Sequence, residues 1–244
     1  MIKKILFILF ALLLTIYLAF VVIFLNPKAK AEEKCSNLSI DIVCSSETSY
    51  LDETQMKMFL NKTNLNPVGK KQSAIDVASI EKTLEENKLI KKAEVYKTVN
   101  GTVRIKIYQR TPVLRVIAGR DYYIDNEGEV MPVPAYFAAY VPVATGNIKE
   151  EYAKKQLFPF VLFLQKNKFW NSQIEQINIT PNLDVELIPR VGNHQIILGK
   201  IENYEENLDK LKLFYEKGLN KVGWNRYSII NLKYKNQIVC TKRE

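Results

Sequence analysis

The chain has 244 residues, with 35 lysines and arginines against 26 aspartates and glutamates, for a formal charge of +9. Its 47% hydrophobic and 25% charged residues suit a globular chain that buries a core, long enough for one large domain or two small ones. No lysine block exceeds two in a row and no arginine–aromatic platform occurs, so nucleic acid is not the expected partner. The charge reads instead as a solvated, lysine-rich face.

Ile5 to Leu25 form an almost unbroken apolar run, interrupted by Thr15 and Tyr17. As a helix they span about 31 Å, the thickness of a bilayer's hydrocarbon. Residues 5–25 are therefore expected to cross the lipid bilayer, with 1–4 as a cytoplasmic tail because Lys3, Lys4 and the amino terminus precede the run. Residues 26–36 read as a linker, where Lys28, Lys30 and Lys34 are diluted by Glu32 and Glu33. Ala29-Lys30-Ala31 has the form of a cleavage site, so a removed signal peptide stays open beside the retained anchor. Length favours the anchor, since signal peptides carry only about 7–15 apolar residues. Either way the bulk lies outside the cytoplasm, where disulfides are permitted. The cysteines are three, Cys35, Cys44 and Cys240, without metal-ligand spacing. An extended Leu38–Val43 would hold Cys35 and Cys44 about 30 Å apart, so no structural disulfide is expected.

A first domain is expected over 37–110. Leu38, Ile40 and Ile42 alternate with Ser39, Asp41 and Val43 as in a strand. A helix follows from Asp52 to Asn61, with Leu51, Met58, Phe59 and Gln55 on or beside its apolar side, and Pro67 and Gly69 break it. Asp76 caps a second helix in which Val77, Ile80 and Leu84 share a face. Strands Lys92–Val99 and Thr102–Tyr108 are joined by Asn100-Gly101, the signature of a type I′ turn. Ala93, Val95, Val103, Ile105 and Ile107 then point inward. The order is β-α-α-β-β.

A second, mainly antiparallel α+β domain is expected over 111–244. One helix runs near Glu150 to Asn167, with Tyr152, Leu157, Val161 and Leu164 inward and Pro159 either kinking it or interrupting its first turn. Strands follow at Gln173–Ile179, Asp184–Pro189 and His194–Leu198, the last two joined by a turn at Gly192-Asn193. Tyr204, Leu208, Leu211 and Tyr215 stripe a second helix that Gly218 would cap. Ser228 to Thr241 reads as one final strand, with Ile230, Leu232, Tyr234 and Ile238 on one face and Asn231, Lys233, Lys235 and Gln237 on the other.

Little in the chain carries chemistry. His194, the sole histidine, is expected in a surface loop, and without a second histidine or clustered cysteines no zinc site or cofactor is expected. Asp125-Asn126-Glu127-Gly128 opens like a calcium loop, but the twelfth position is Tyr136, so a hairpin turn is expected. No nucleophile elbow, dinucleotide fingerprint or P-loop occurs. The open alternatives are a cell-wall hydrolase with an unrecognised carboxylate pair and a secreted adhesive protein.

The β-α-α-β-β order after a single anchor resembles a POTRA domain, and specifically the FtsQ/DivIB cell-division family. Gln109-Arg110-Thr111-Pro112-Val113 is similar to that family's passage between domains, and Tyr122-Tyr123-Ile124-Asp125-Asn126-Glu127-Gly128-Glu129-Val130 to its hairpin. Ile197-Leu198-Gly199-Lys200 resembles its "Leu-Gly-Arg" block, and Ile230-Asn231-Leu232-Lys233-Tyr234 its "Asp-Leu-Arg-Tyr" block. Asn231 stands where aspartate is usual, and Lys200 and Lys233 where arginine is. The resemblance implies a non-enzymatic scaffold of the septal wall-synthesis complex, in the inner membrane with its bulk in the periplasm. It also implies small bitopic coiled-coil partners, FtsB-like and FtsL-like. The last strand would be the edge on which a partner adds a strand. Lys233, Tyr234, Asn236, Gln237 and Ile238 are the expected partner-binding residues, with Tyr234 read either as core or as interface.

Overall fold

A computed structural model describes residues 2–24, 32–44 and 49–244. Ala29-Lys30-Ala31 and most of the expected linker lie outside the described residues. Helix α1 (Ile2–Phe24) is long and apolar enough to cross a membrane. The chain divides into two compact units, Met1–Val43 with Leu51–Tyr108, and Cys44–Tyr50 with Gln109–Glu244.

In the first unit, β1 (Asn37–Val43), α2 (Glu53–Lys62), α3 (Val77–Glu85), β2 (Ile90–Lys97) and β3 (Thr102–Gln109) keep the expected order. The strands lie in the order β1-β3-β2, with β1 parallel to β3 so that Leu38 meets Val103 and Ile40 meets Ile105. The carboxylates of Asp52 and Asp76 accept from the amides of Gln55 and Ser79, capping α2 and α3. Val103, Ile105 and Ile107 are fully buried, and Ile80 and Leu84 of α3 join that core. Two details differ from expectation. Helix α2 buries Met56 and Leu60, spaced i, i+4, and leaves Met58 outside. The β2–β3 turn is not type I′: only Gly101 takes positive φ, 75°, after a turn closed by its own amide on the Thr98 carbonyl at 3.2 Å. One αL glycine after an ordinary turn gives a bulged hairpin, which needs no positive φ at Asn100.

The second unit is a nine-stranded sheet in the order β12-β11-β10-β9-β8-β7-β4-β5-β6. Its first strands are β4 (Pro112–Ala118), β5 (Arg120–Asp125), β6 (Val130–Pro132) and β7 (Val143–Gly146). Then come β8 (Ile174–Ile179), β9 (Val185–Pro189), β10 (Gln195–Gly199), β11 (Tyr227–Asn231) and β12 (Val239–Lys242). The β4–β7, β7–β8 and β10–β11 pairs are parallel and the other five antiparallel, so the sheet is mixed. Helix α4 (150–166), the short α5 (Lys168–Gln173) and α6 (204–222) bury their apolar stripes against it. Tyr204 of α6 stacks on Phe160 and Phe163 of α4, with ring centres 5.0 and 4.9 Å apart.

The expected kink at Pro159 takes the form of a π turn, Ala153–Leu157, in which the Phe158 amide reaches back to the Ala153 carbonyl. Widening the turn removes the carbonyl that the proline ring would strike. Helix α5 was not expected. Asn167 caps it through the amides of Phe169 and Trp170, which carries the Trp170 ring into the core. Gly218 is no cap, because α6 runs through a second π turn, Tyr215–Leu219, and ends at Gly223 with φ 94°. Continuing the helix buries Leu219 completely.

Two further expectations are corrected. His194 is not a surface residue but 3% exposed, its Nε2 2.7 Å from the Tyr215 hydroxyl and its ring beside Trp224. The final stretch is not one strand. After β11, Leu232 turns into the core with its amide on the Ile197 carbonyl at 2.9 Å, and the Asn231 side chain takes the Lys233 amide at 3.0 Å. Asn236 then adopts φ 62°, and the chain returns as β12, antiparallel to β11.

Candidate functional site

The nine-stranded sheet has two edges, and they are built differently. At one end, β6 is three residues long, with Pro132 inside it and Pro134 just beyond. Proline offers no amide to a neighbouring strand, so this edge is closed to pairing. At the other end, β12 contains no proline, and Val239, Thr241 and Lys242 are exposed.

The hydrogen-bonding direction of β12 follows from its neighbours. The Leu232 amide faces β10, so by alternation Ile230 also faces β10, while Ile229 and Asn231 face β12. The Arg243 amide donates back to the Arg226 carbonyl at 3.1 Å. Alternating from there, Thr241 and Val239 pair inward, and the amides of Cys240 and Lys242 point away from the sheet. The Cys240 and Lys242 side chains share one face of the sheet, where Cys240 packs partly against the core and Lys242 stays exposed.

The five residues expected to bind a partner lie in the β11–β12 connection, beside this edge rather than along it. The Lys233 ammonium lies 2.8 Å from Asp184, whose other carboxylate oxygen lies 3.4 Å from the Lys200 ammonium. Lys200 also donates to the Asn182 carbonyl. The hydrogen bond from Lys233 holds the Asp184 carboxyl below the usual carboxylate range, and Lys200 adds to it. The same bond raises Lys233. The two lysines that replace arginines in the resembled blocks thus converge on one aspartate that the sequence reading missed. Lys233 crosses over Gly199, where a Cβ would stand 2.8 Å from the Lys233 Cγ, and Gly199 itself has φ 86°.

Tyr234 is 48% exposed and outside the core. Asn236, Gln237 and Ile238 line one wall of an open groove of about 470 Å³, with Lys210, Leu213 and Phe214 of α6 opposite. The site therefore separates: Lys233 is engaged internally, Tyr234 is displayed, and Asn236 to Ile238 border a groove. The edge amides of Cys240 and Lys242 were overlooked because a single strand was read through the turn.

Among the described residues no three histidines, cysteines or acids are grouped to hold a metal ion, and Cys35, Cys44 and Cys240 are free thiols. Asp125, whose carboxylate is fully buried, serves the fold. It accepts from the amides of Glu127 and Glu129 at 2.9 and 2.8 Å, and from the Arg110 guanidinium at 2.6 Å.

An apolar N-terminal helix, a three-stranded β-α-α-β-β unit and a nine-stranded mixed sheet make up the architecture. Residues 33–108 match the model of the POTRA-like domain, and residues 111–241 match that described as FtsQ/DivIB, C-terminal related. The chain belongs to the FtsQ/DivIB, C-terminal related family. It is also similar to the cell division protein FtsQ of Geotalea daltonii, with 24% identity over 175 residues. That alignment covers 67% of this chain and 62% of the relative, so the chain spans less than two thirds of that relative's length.

Proposed function

We propose that the chain is a non-enzymatic, membrane-anchored scaffold of the bacterial cell-division complex. It binds small bitopic coiled-coil proteins, FtsB-like and FtsL-like, through strand addition to β12. In this reading α1 is a retained single-pass anchor in the inner membrane, with Lys3 and Lys4 on the cytoplasmic side and both units outside. Family membership and the name of the Geotalea daltonii relative support the division role.

The observation that carries the mechanism is the outward pair of amides at Cys240 and Lys242 on an exposed, proline-free edge. An added strand draws affinity from main-chain hydrogen bonds, while flanking pockets and charges choose the partner. Tyr234 and the Asn236–Ile238 wall of the groove supply those flanking contacts, and Lys233 sets the turn that presents them. Lys242→Pro deletes an outward donor and leaves the inward ladder intact. Co-purification of the full chain with a coiled-coil partner should be lost in this variant while its circular dichroism is retained. Normal binding by the folded variant refutes strand addition at β12.

A further inference from the structure

Two tight turns of the first unit display an exposed valine at the same position. In turn 67–70, closed by the Lys70 amide on the Pro67 carbonyl at 3.0 Å, Val68 is 48% exposed. In turn 98–101, Val99 is 72% exposed. Segment 32–36 stitches the two together. The Cys35 amide donates to the Lys70 carbonyl at 2.8 Å, the Gly69 amide to the Cys35 carbonyl at 2.9 Å, and the Ser36 amide to the Gly101 carbonyl at 2.9 Å. Around the tips, Lys34, Lys70, Lys71 and Lys97 are exposed. Glu32 is engaged by Lys71 at 2.5 Å, and Glu33, also exposed, borders one recess with Lys97 and Val99, so the four lysines leave a net positive charge here. Residues 55–75 hold four lysines and no acid, and residues 95–106 hold three cations and no acid.

This end of the unit is tied by covalent reach to α1. Glu32 follows Phe24 by eight residues, which span at most about 29 Å when fully extended. The stitched turns therefore stay near the point where α1 leaves the membrane. Apolar tips ringed by lysines suit a surface whose phosphates are anionic and whose deeper layer is apolar.

We propose that this end docks on the anionic phosphate headgroups of the bilayer, with Val68 and Val99 entering the interface and Lys34 and Lys70 facing phosphates. The proposal rests on α1 being a retained anchor. Docking would fix how the first unit stands on the membrane.

The test reconstitutes the full chain, carrying Val99→Trp, in lipid nanodiscs containing brominated phosphatidylglycerol. The unsubstituted chain gives the contribution of Trp170 and Trp224. The added fluorescence should be quenched, and less so in phosphatidylcholine discs or at high salt. Lys34→Gln and Lys70→Gln should each lower the docked-to-undocked ratio about fivefold. A chain that enters the discs but whose added fluorescence escapes quenching overturns the docking alone, as does quenching indifferent to both lysines and to lipid charge. A chain that does not enter the discs overturns the anchor and the docking with it.

Discussion

The two ends of the nine-stranded sheet are each fastened by one aspartate, and the two aspartates work in opposite surroundings. Asp125 is fully buried, closes the β5–β6 turn through two amides and neutralises Arg110, whose side chain is 18% exposed. Asp184 is reached by solvent and ties the β9 side of the sheet to the β11–β12 connection through Lys200 and Lys233, which are about half exposed. Buried pairs are costly to break because the surviving charge has nowhere to go, whereas exposed pairs are screened. The closed edge is thus rigidly built, and the open edge is held by contacts that are cheap to rearrange, as the proposed strand addition requires. Elements that bind come from the less stable part of a fold.

Asp125→Ala should have the largest effect on stability. It strands the Arg110 guanidinium and removes the acceptor of two turn amides, at a cost of about 3–5 kcal/mol. Urea unfolding followed by tryptophan fluorescence reads this unit directly, since Trp170 and Trp224 both belong to it. Asp184→Ala should cost a small fraction of that. Equal losses would erase the contrast between the two ends.

Gly101→Val sharpens the comparison from the other unit. The position needs positive φ, so a β-branched residue should cost about 1–3 kcal/mol there. Because the tryptophans lie elsewhere, the loss should appear in circular dichroism of the full chain, and their unfolding transition should stay in place. An unchanged melt would mean that the hairpin takes a different turn.

A smaller and pH-dependent effect is expected at His194, near the open end. Burial holds its imidazole below the usual histidine range, against the backbone of Trp224, which favours the proton, and with Arg243 opposing it. The folded state therefore binds this proton less readily than the unfolded chain, which takes it up near pH 6.5. The resulting stability is complete above that pH and is lost as pH falls below it toward the lower folded value. His194→Asn should flatten the stability profile between pH 7 and about 5.5. As the sole histidine, His194 leaves no second imidazole to confuse the result. A profile just as steep in the variant would refute this assignment.

The same two ends show why some of the molecule was legible in sequence and some was not. Alternation at Leu38–Val43 and the inward set Val103, Ile105 and Ile107 reveal the first unit, because period and burial agree there. At the open end, apolar–polar alternation runs from Ile230 through Lys235 and returns in the same register at Ile238, so a period of two hides the reversal. The only local cue was Asn236, a residue that tolerates αL. His194 was misplaced because Gly192-Asn193 marks a turn correctly, while the burial comes from Tyr215 and Trp224, distant in sequence. The π turns leave no pattern that periodicity can register. Asp184 was hidden for a similar reason: its partners arrive from two other connections.

The smallest effect on folding is expected at Lys233, and it decides how the open end works. Its ammonium is taken up by Asp184, and its stem lies over Gly199. If the pair only positions the turn, Lys233→Met keeps the stem, should lower the melt only slightly and should weaken partner binding slightly. Lys233→Glu places a second carboxylate against Asp184 and should weaken binding further, because the turn must move away. The two variants also predict acid behaviour. The Asp184 carboxyl is held low in the folded state, so its stabilisation is present above the usual carboxylate pKa and is lost as pH falls through its folded value. Lys233→Met should shrink that acid-side loss, since Lys233 is the larger cause of the shift. Binding that falls equally in both variants, with the acid profile unchanged, would instead assign the Lys233 charge to the partner. The aspartate at the open end would then be a bystander, and the comparison with Asp125 would fail.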